Sequence, residues 1–266
     1  MKQRIITAII GLPLLLLFIH YANSIFFLGF VCVLTSLALW EYLEMSLPEG
    51  RTLEKALAVL AGTGLVALVG AGQPVLFQGA LTAALLFFAV LFLLRYRDLT
   101  TVSQQLGLVL FGFLYLPLLL GHMSLLRGLA HGQKWIFLVL FAVMACDTMA
   151  YFVGTSFGRR RLYPAISPKK SIEGALGGLV GSLCGVLLAK FLFFPALAIS
   201  DCLVLGLLLG LFGQVGDLFE SMLKRSFGVK DSGTLIPGHG GLLDRLDSLL
   251  FSFAPVYYFA LWRMVG

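Results

Sequence analysis

The chain has 266 residues, of which 59% are hydrophobic and only 12% are charged, and its mean hydropathy is +0.98. A soluble domain is about 45–50% apolar and about 25% charged. The composition therefore excludes an ordinary soluble enzyme, a disordered chain and a secreted disulfide scaffold. Apolar stretches of about 20 residues favour membrane-spanning helices over a barrel, whose strands alternate over about 10 residues. We expect an all-α polytopic membrane protein.

Stretches long enough to cross about 30 Å of hydrocarbon predict about nine transmembrane helices. They lie at residues 5–20, 24–41, 56–72, 75–94, 104–126, 135–157, 174–194, 199–219 and 248–264. The first stretch follows Lys2 and Arg4 as a secretory signal would, but another apolar stretch begins directly after Asn23, so we expect an uncleaved helix. The four cysteines lie inside apolar stretches without a Cys-x-x-Cys pair, which favours buried small side chains over metal or disulfide chemistry.

Lysine and arginine are distributed unevenly between the two predicted sides of the membrane. With a cytosolic N-terminus, 15 of the 19 basic residues fall on the cytosolic side, and the other four are Arg127, Lys134, Lys190 and Arg263. This bias follows the positive-inside rule. The formal net charge of +6 is then a topology signal, and no nucleic-acid partner is expected. The short N-terminus favours a bacterial plasma membrane over an organelle.

Acidic residues are concentrated in the second half of the chain. Eight of the 13 lie between Asp147 and Asp247. We therefore interpret residues 1–266 as a single integral membrane domain, with a helical scaffold half at 1–130 and a catalytic half at 131–266. The active site is expected at the cytosolic side of the catalytic half.

Asp147 lies near the middle of the sixth predicted helix. An ionisable side chain there is costly and needs a partner inside the protein. A functional role and a structural hydrogen bond between helices both remain open.

Residues 167–170, Ser-Pro-Lys-Lys, are predicted to form a rigid turn that presents two cations beside a helix N-terminus. Such a site suits phosphate. Ser171 is the expected N-cap of the helix that follows. That helix carries Gly177, Gly181 and Gly185 at a four-residue spacing, which we assign to close helix packing.

The strongest signal is the run of polar residues and glycines at 214–248. It begins with a helical stripe at i, i+3, i+4 and i+7, formed by Asp217, Glu220, Ser221 and Lys224. A loop with four glycines follows at residues 233–241, and glycines let backbone N–H groups form an anion-binding concavity. Lysine and arginine neutralise phosphate, and carboxylates at helix ends can hold Mg²⁺ on substrate phosphates. The run predicts a polyphosphate site, with a solvated loop held by salt bridges as the alternative.

Residues 221–247 resemble the signature of phosphatidate cytidylyltransferases, also called CDP-diacylglycerol synthases. The matching positions are Ser221, Lys224, Arg225, Lys230, Asp231, Gly233, Ile236, Pro237, His239, Gly240, Gly241, Asp244, Arg245 and Asp247. Residues 147–154 and 167–170 also resemble family segments, whereas Ser171 and Ile172 stand where Thr and Trp are expected. The resemblance in motif spans roughly residues 145–250.

The resemblance implies a reaction in which CTP and phosphatidate give CDP-diacylglycerol and pyrophosphate, for phospholipid synthesis. It implies Mg²⁺ as cofactor, with a second metal ion allowed. The expected partners are CTP, phosphatidate in the bilayer and other membrane lipids, and a homodimer is allowed. Because the phosphatidate oxygen is already anionic, no strong general base is required, and catalysis consists of positioning and charge neutralisation.

The candidate site residues are expected to have roles in three groups. The expected catalytic residues are Asp217, Lys224, Arg225 and Asp244. The expected metal ligands are Asp217, Asp244 and Asp247. The expected substrate-binding residues are Ser167, Lys169, Lys170, Ser221, Lys230, Gly238, His239, Gly240 and Gly241.

Other membrane proteins are alternatives to this reaction. The nearest are a polyprenol kinase, which would release CDP, and a cytidylyltransferase for a different lipid phosphate. A transporter would explain Asp147 inside a helix, but it predicts inverted repeats, and we find none in the sequence. A catalytically inactive scaffold is the third alternative, and the intact acidic residues argue against it.

Overall fold

The computed structural model describes residues 2–71, 74–96, 98–236, 238 and 240–265. These residues form nine α-helices and one two-stranded sheet. The helices are α1 Lys2–Tyr21, α2 Ser24–Ser46, α3 Thr52–Gly70, α4 Pro74–Arg95, α5 Leu99–Gly128, α6 Gly132–Phe157, α7 Ile172–Leu192, α8 Ile199–Ser226 and α9 Leu243–Val265. The strands are β1 Arg161–Tyr163 and β2 Ser167–Ser171. The predicted helical class is confirmed.

Seven of the described helices, α2 to α8, are long and apolar enough to cross a membrane. The apolar part of α1 is shorter, at Gly11–Tyr21. The first two turns of α9 are polar, because they contain Asp244, Arg245 and Asp247. A polytopic helical membrane protein is thus supported, whereas the count of nine spans stays a prediction.

Several helices extend beyond the ends predicted from hydropathy, and α8 and α9 matter most for the site. The predicted eighth helix stops at residue 219, but α8 continues to Ser226, and the predicted ninth helix starts at residue 248, but α9 begins at Leu243. Hydropathy marks only the apolar part of a helix, whereas backbone hydrogen bonding continues through its polar turns. The predicted polar stripe of α8 therefore lies wholly on a helix.

The segment around residues 167–170 is a strand and not the predicted rigid turn. β2 pairs antiparallel with β1, with Arg161 opposite Ser171 and Tyr163 opposite Ser167, and the turn lies at residues 164–166. Pro168 lacks an N–H donor, which an edge strand tolerates. Each strand of a two-stranded sheet is an edge strand, so the segment can pair despite its proline.

The chain divides into two compact units. The first contains Met1–Leu125 together with Asp231–Asp244, and the second contains Leu126–Lys230 and Arg245–Gly266. The glycine-rich loop therefore belongs to the same unit as the first helices, although it is far from them in sequence. The functional division predicted at residue 130 stays a prediction.

A buried charge network ties helix ends together within the first unit. Arg51, which is 2% exposed, donates from Nη1 to Glu54 Oε1 at 2.8 Å and from Nε to Gln105 Oε1 at 2.9 Å. Arg95 Nε lies 3.2 Å from the same Glu54 oxygen. Breaking a buried pair leaves an uncompensated charge, which is strongly destabilising. This network joins the start of α3 to the end of α4 and to α5.

Small residues allow close helix packing in the second unit. A Cβ on Gly177 would lie 2.6 Å from Val153 Cβ on α6, and one on Gly210 would lie 2.8 Å from Leu179 Cδ2 on α7. Gly181 packs against α6 in the same way. The packing role predicted for the α7 glycines is confirmed.

Substitution of Gly181 by alanine should destabilise the protein. The added Cβ would lie 2.6 Å from both the Ala145 carbonyl oxygen and Met149 Cβ, and such overpacking costs about 1–3 kcal/mol. Gly64→Ala is the matched control, because a Cβ at this helical glycine meets nothing within 4 Å. Thermal unfolding in detergent measures both variants. Equal unfolding midpoints would contradict the packing account.

Candidate active site

A cavity of about 570 Å³ lies in the second unit, bounded by α6, the β1–β2 hairpin, α7 and α8. Its polar lining includes Asp147, Tyr151, Lys169, Lys170, Gln214 and Asp217. Asp147 therefore lines a cavity that residues of the hairpin, α7 and α8 also line, and whether its role is functional or structural stays open.

Close approach between α6 and the start of α7 shapes one wall of this cavity. A Cβ on Gly158 would lie 2.6 Å from Ser171 Oγ, and one on Gly174 would lie 2.9 Å from the Ala150 carbonyl oxygen. Ser171 is the N-cap of α7, as predicted, and its Oγ accepts from Gly174 N at 3.1 Å. These glycines bring the hairpin, and the lysines on it, against α6.

Glu173 fixes the chain between α6 and β1. Its carboxylate accepts hydrogen bonds from Arg159 N at 3.1 Å and from Arg160 N at 3.2 Å. The side chain sits in the first turn of α7, where a negative charge is favoured by the helix dipole. The hairpin is therefore held at its start by Glu173 and at its end by the Ser171 cap.

An ion pair crosses the cavity from the hairpin to α8. Lys170 Nζ lies 2.5 Å from Asp217 Oδ2, and both side chains remain partly exposed. Ser221 Oγ donates to Asp217 Oδ1 at 3.5 Å. The structure thus joins three predicted site residues, from two motifs that lie about one fifth of the chain apart. A substrate phosphate entering here would meet a cation that a carboxylate already holds in place.

Three carboxylates of the second unit lie close enough to repel one another: Asp147, Asp217 and Asp247. Lys170 attracts Asp147, and Lys224 attracts Asp247. A cation between such carboxylates relieves their repulsion, and Mg²⁺ prefers oxygen ligands. These carboxylates supply oxygen atoms of the kind that a Mg²⁺ site requires.

Within the part of the chain that the structure describes, no three His, Cys, Asp or Glu side chains are arranged around one metal position. Mg²⁺ is usually held by one or two carboxylates, with waters and substrate phosphates completing its shell. The arrangement is therefore compatible with an ion that binds together with a nucleotide.

The cations at the end of α8 differ in their surroundings. Lys224 is buried and pairs with Glu220 at 3.0 Å. Arg225 is exposed and donates to the Val229 carbonyl oxygen at 3.0 Å. Lys230 is exposed. Lys224 is consequently held by its own helix, whereas the side chains of Arg225 and Lys230 reach the surface of the second unit.

The glycine-rich loop is organised by Asp244 in the first unit. Asp244 Oδ2 accepts hydrogen bonds from Ser232 N at 2.9 Å, Ser232 Oγ at 3.1 Å and Gly241 N at 2.8 Å. The Gly241 N–H was expected to contact phosphate, but it donates to this carboxylate instead. Asp244, expected as a metal ligand, thus also shapes the loop.

The backbone of this loop requires glycine at two positions. Gly238 and Gly240 have φ of 78° and 89°, which side chains rarely adopt. Ile236 N donates to the Gly240 carbonyl oxygen at 2.9 Å. His239 and Pro237 lie outside the described residues, so the expected role of His239 stays a prediction.

Glu41 on α2 contacts the glycine-rich loop, which the sequence analysis did not predict. Its Oε1 accepts from Leu242 N at 2.9 Å, and its Oε2 accepts from Leu243 N at 2.8 Å and Ser232 Oγ at 3.1 Å. The sequence contained one usable signal, an acidic residue at the edge of an apolar stretch, which favours an internal partner. The partner itself is about 200 residues away and could not be read from the sequence.

The remaining predicted site residues lie on the hairpin. Ser167 begins β2 opposite Tyr163. Lys169 lines the cavity, and its carbonyl oxygen accepts from Arg161 Nη1 at 3.3 Å. Of the predicted site residues that the structure describes, the first unit contains Gly238, Gly240, Gly241 and Asp244, and the second contains Ser167, Lys169, Lys170, Asp217, Ser221, Lys224, Arg225, Lys230 and Asp247.

Comparison with known proteins assigns the family. The sequence model of the cytidylyltransferase family matches residues 2–262. The chain belongs to this family. The match extends well upstream of residue 145, where only helical character had been recognised.

Individual relatives are similar over nearly their whole length. The phosphatidate cytidylyltransferase of Bacillus subtilis is 36% identical over 98% of this chain and 97% of its own. That of Synechocystis is 37% identical over 97% and 95%. That of Staphylococcus epidermidis is 33% identical over 94% and 95%.

Proposed function

We propose that the protein transfers the cytidylyl group of CTP to phosphatidate, giving CDP-diacylglycerol and pyrophosphate for phospholipid synthesis. The observation that carries this proposal is the cavity with the Lys170–Asp217 pair, in a chain whose relatives are named phosphatidate cytidylyltransferases. A cavity among membrane helices suits a substrate whose acyl chains stay in the bilayer while its phosphate reaches polar groups.

The reaction needs charge neutralisation more than proton transfer. A phosphate oxygen of phosphatidate attacks the α-phosphorus of CTP, and the bond from that phosphorus to the bridging oxygen of pyrophosphate breaks. The nucleophile is already an anion, so the site need not remove a proton. Lys170 would neutralise the phosphates inside the cavity, and Lys169 would add a second positive charge at its wall. Lys224, Arg225 and Lys230 are proposed to stabilise the departing pyrophosphate.

Mg²⁺ is the proposed cofactor, and Asp217 and Asp247 would hold it. When bound, it would polarise the phosphoryl oxygens and offset the negative charge of the triphosphate. Asp147 would add to the negative potential that draws the ion in. Asp244 stays a third predicted ligand on the basis of the sequence alone, and a second metal ion stays allowed.

The reaction products distinguish this function from its nearest alternative. With CTP and phosphatidate, the purified protein should release one pyrophosphate for each CTP consumed. A polyprenol kinase would instead release CDP and place a phosphate on the lipid. CDP as the nucleotide product would overturn the proposal, and pyrophosphate formed only with another lipid phosphate would reassign the substrate.

The proposed orientation places the N-terminus and the active site on the cytosolic side of a bacterial plasma membrane. The supporting observation is that this orientation puts 15 of the 19 basic residues on the cytosolic side. The bacterial relatives agree with the location. Nine spans remain part of the proposal, and a homodimer remains allowed.

A further inference from the structure

The glycine-rich loop of the first unit is built around two buried carboxylates from different parts of the chain. Glu41 and Asp244 are 7% and 8% exposed. The Ser232 hydroxyl lies 3.1 Å from Glu41 Oε2 and also 3.1 Å from Asp244 Oδ2. Both carboxylates therefore contact the same hydroxyl group. A shift of Glu41 would move this hydroxyl group and so change a hydrogen bond to Asp244.

Glu41 accepts three hydrogen bonds from this loop, and the donors lie at the two ends of the loop. Ser232 is near its start, whereas Leu242 and Leu243 lie where it enters α9. A carboxylate that accepts N–H bonds at a helix start satisfies donors that otherwise lack a partner in the helix, and the helix dipole favours its charge. Glu41 thus closes the loop and fixes the first turn of α9 with one side chain.

The glycines of the loop leave room for this carboxylate. A Cβ on Gly233 would lie 2.8 Å from Glu41 Oε1, and one on Gly241 would lie 2.6 Å from Glu41 Oε2 and 2.1 Å from Ser232 Oγ. Any side chain at these positions would push the carboxylate out of its place. At these two positions the requirement for glycine comes from Glu41 as well as from any contact with substrate.

We propose that Glu41 is a positioning residue for the cytidylyl transfer, acting through the loop at residues 232–243. This inference rests on the proposed function, because the loop carries glycines assigned to substrate binding and leads directly to Asp244. Glu41 holds the loop backbone and, through Ser232, the orientation of the Asp244 carboxylate. The first half of the chain thereby contributes to this loop a side chain that is distant in sequence from the family signature.

The test compares Glu41→Ala and Glu41→Gln with Glu54→Ala. Glu54 is the matched control, since it is a buried carboxylate of the same unit whose partners are Arg51 and Arg95. Glu41→Ala should lower kcat about 100-fold, because small misplacements of reacting groups have effects of that order. Glu41→Gln keeps one acceptor oxygen and should recover part of the lost kcat. KM for phosphatidate should change little in either variant.

Hydrogen exchange of the loop amides gives a readout that does not depend on activity. Amides at residues 232–243 should exchange faster in Glu41→Ala and at the wild-type rate in Glu54→Ala. Glu54→Ala should lower the unfolding temperature while its folded fraction keeps the wild-type kcat. Unchanged loop exchange in Glu41→Ala, or an equal loss of kcat per folded molecule in both alanine variants, would overturn the inference. Wild-type protein that transfers no cytidylyl group would instead refute the proposed function, and the exchange data would still decide whether Glu41 orders the loop.

Discussion

Replacing Asp217 with asparagine should lower cytidylyl transfer by about 1000-fold, the upper end of the range for losing one preorganised electrostatic group. The substitution keeps the size of the side chain but removes the charge that holds Lys170 at 2.5 Å. It also removes a proposed Mg²⁺ ligand, which repels both Asp147 and Asp247. Transfer of label from CTP to lipid, measured at saturating Mg²⁺, quantifies the loss.

Asp201→Asn is the matched control for this variant. Asp201 lies at the opposite end of the same helix and pairs with Arg263 at 3.0 Å. This control should lose some stability but keep its activity per folded molecule. If Asp217→Asn retained full activity, or if both variants lost activity equally, the assignment of Asp217 to metal and phosphate binding would be wrong.

Substitution of Lys170 by methionine should reduce kcat/KM for CTP by about 100-fold, because charge-assisted contacts to phosphate are among the strong polar interactions. Methionine keeps a long unbranched side chain, so the cavity wall retains most of its packing. The change leaves Asp217 without its 2.5 Å partner and removes one of the two lysines that line the cavity. Initial rates over a range of CTP concentrations measure the effect.

Lys134→Met serves as the control for charge removal. Lys134 is in the first turn of α6, and its ammonium lies 5.8 Å from the ring centre of Phe194. Its loss should leave kcat/KM unchanged. A wild-type value for Lys170→Met would show that the cavity does not bind the nucleotide through this lysine.

Much of the fold could be predicted from the sequence because hydropathy identifies membrane-spanning helices. Length and apolar content alone identify α2 to α8. The Gly177 and Gly181 spacing indicated close packing on α6, and the structure confirms it. Polar helical turns carry no such signal, so the C-terminal end of α8 was predicted too early and the start of α9 too late.

The tertiary part of the site could not be predicted from the sequence. The contact between Lys170 and Asp217 joins segments that no local pattern relates, and the hairpin that presents Lys170 was expected to be a turn. Glu41 lies in the half of the chain that was interpreted as scaffold. Its contacts with the loop could not be predicted, because its partners lie about 200 positions away. Sequence motifs identify candidate site residues, but only the folded structure shows which of them form hydrogen bonds with distant segments.

Transfer of the cytosine label into lipid tests the central claim most directly. Purified protein in mixed micelles would receive phosphatidate, Mg²⁺ and CTP labelled in the cytosine ring, with and without EDTA. We predict label in the lipid phase only when Mg²⁺ is available, with an equal amount of pyrophosphate released. Folded protein that leaves all label in the aqueous phase with Mg²⁺ present, or transfers it equally well in EDTA, would contradict a metal-assisted transfer to phosphatidate.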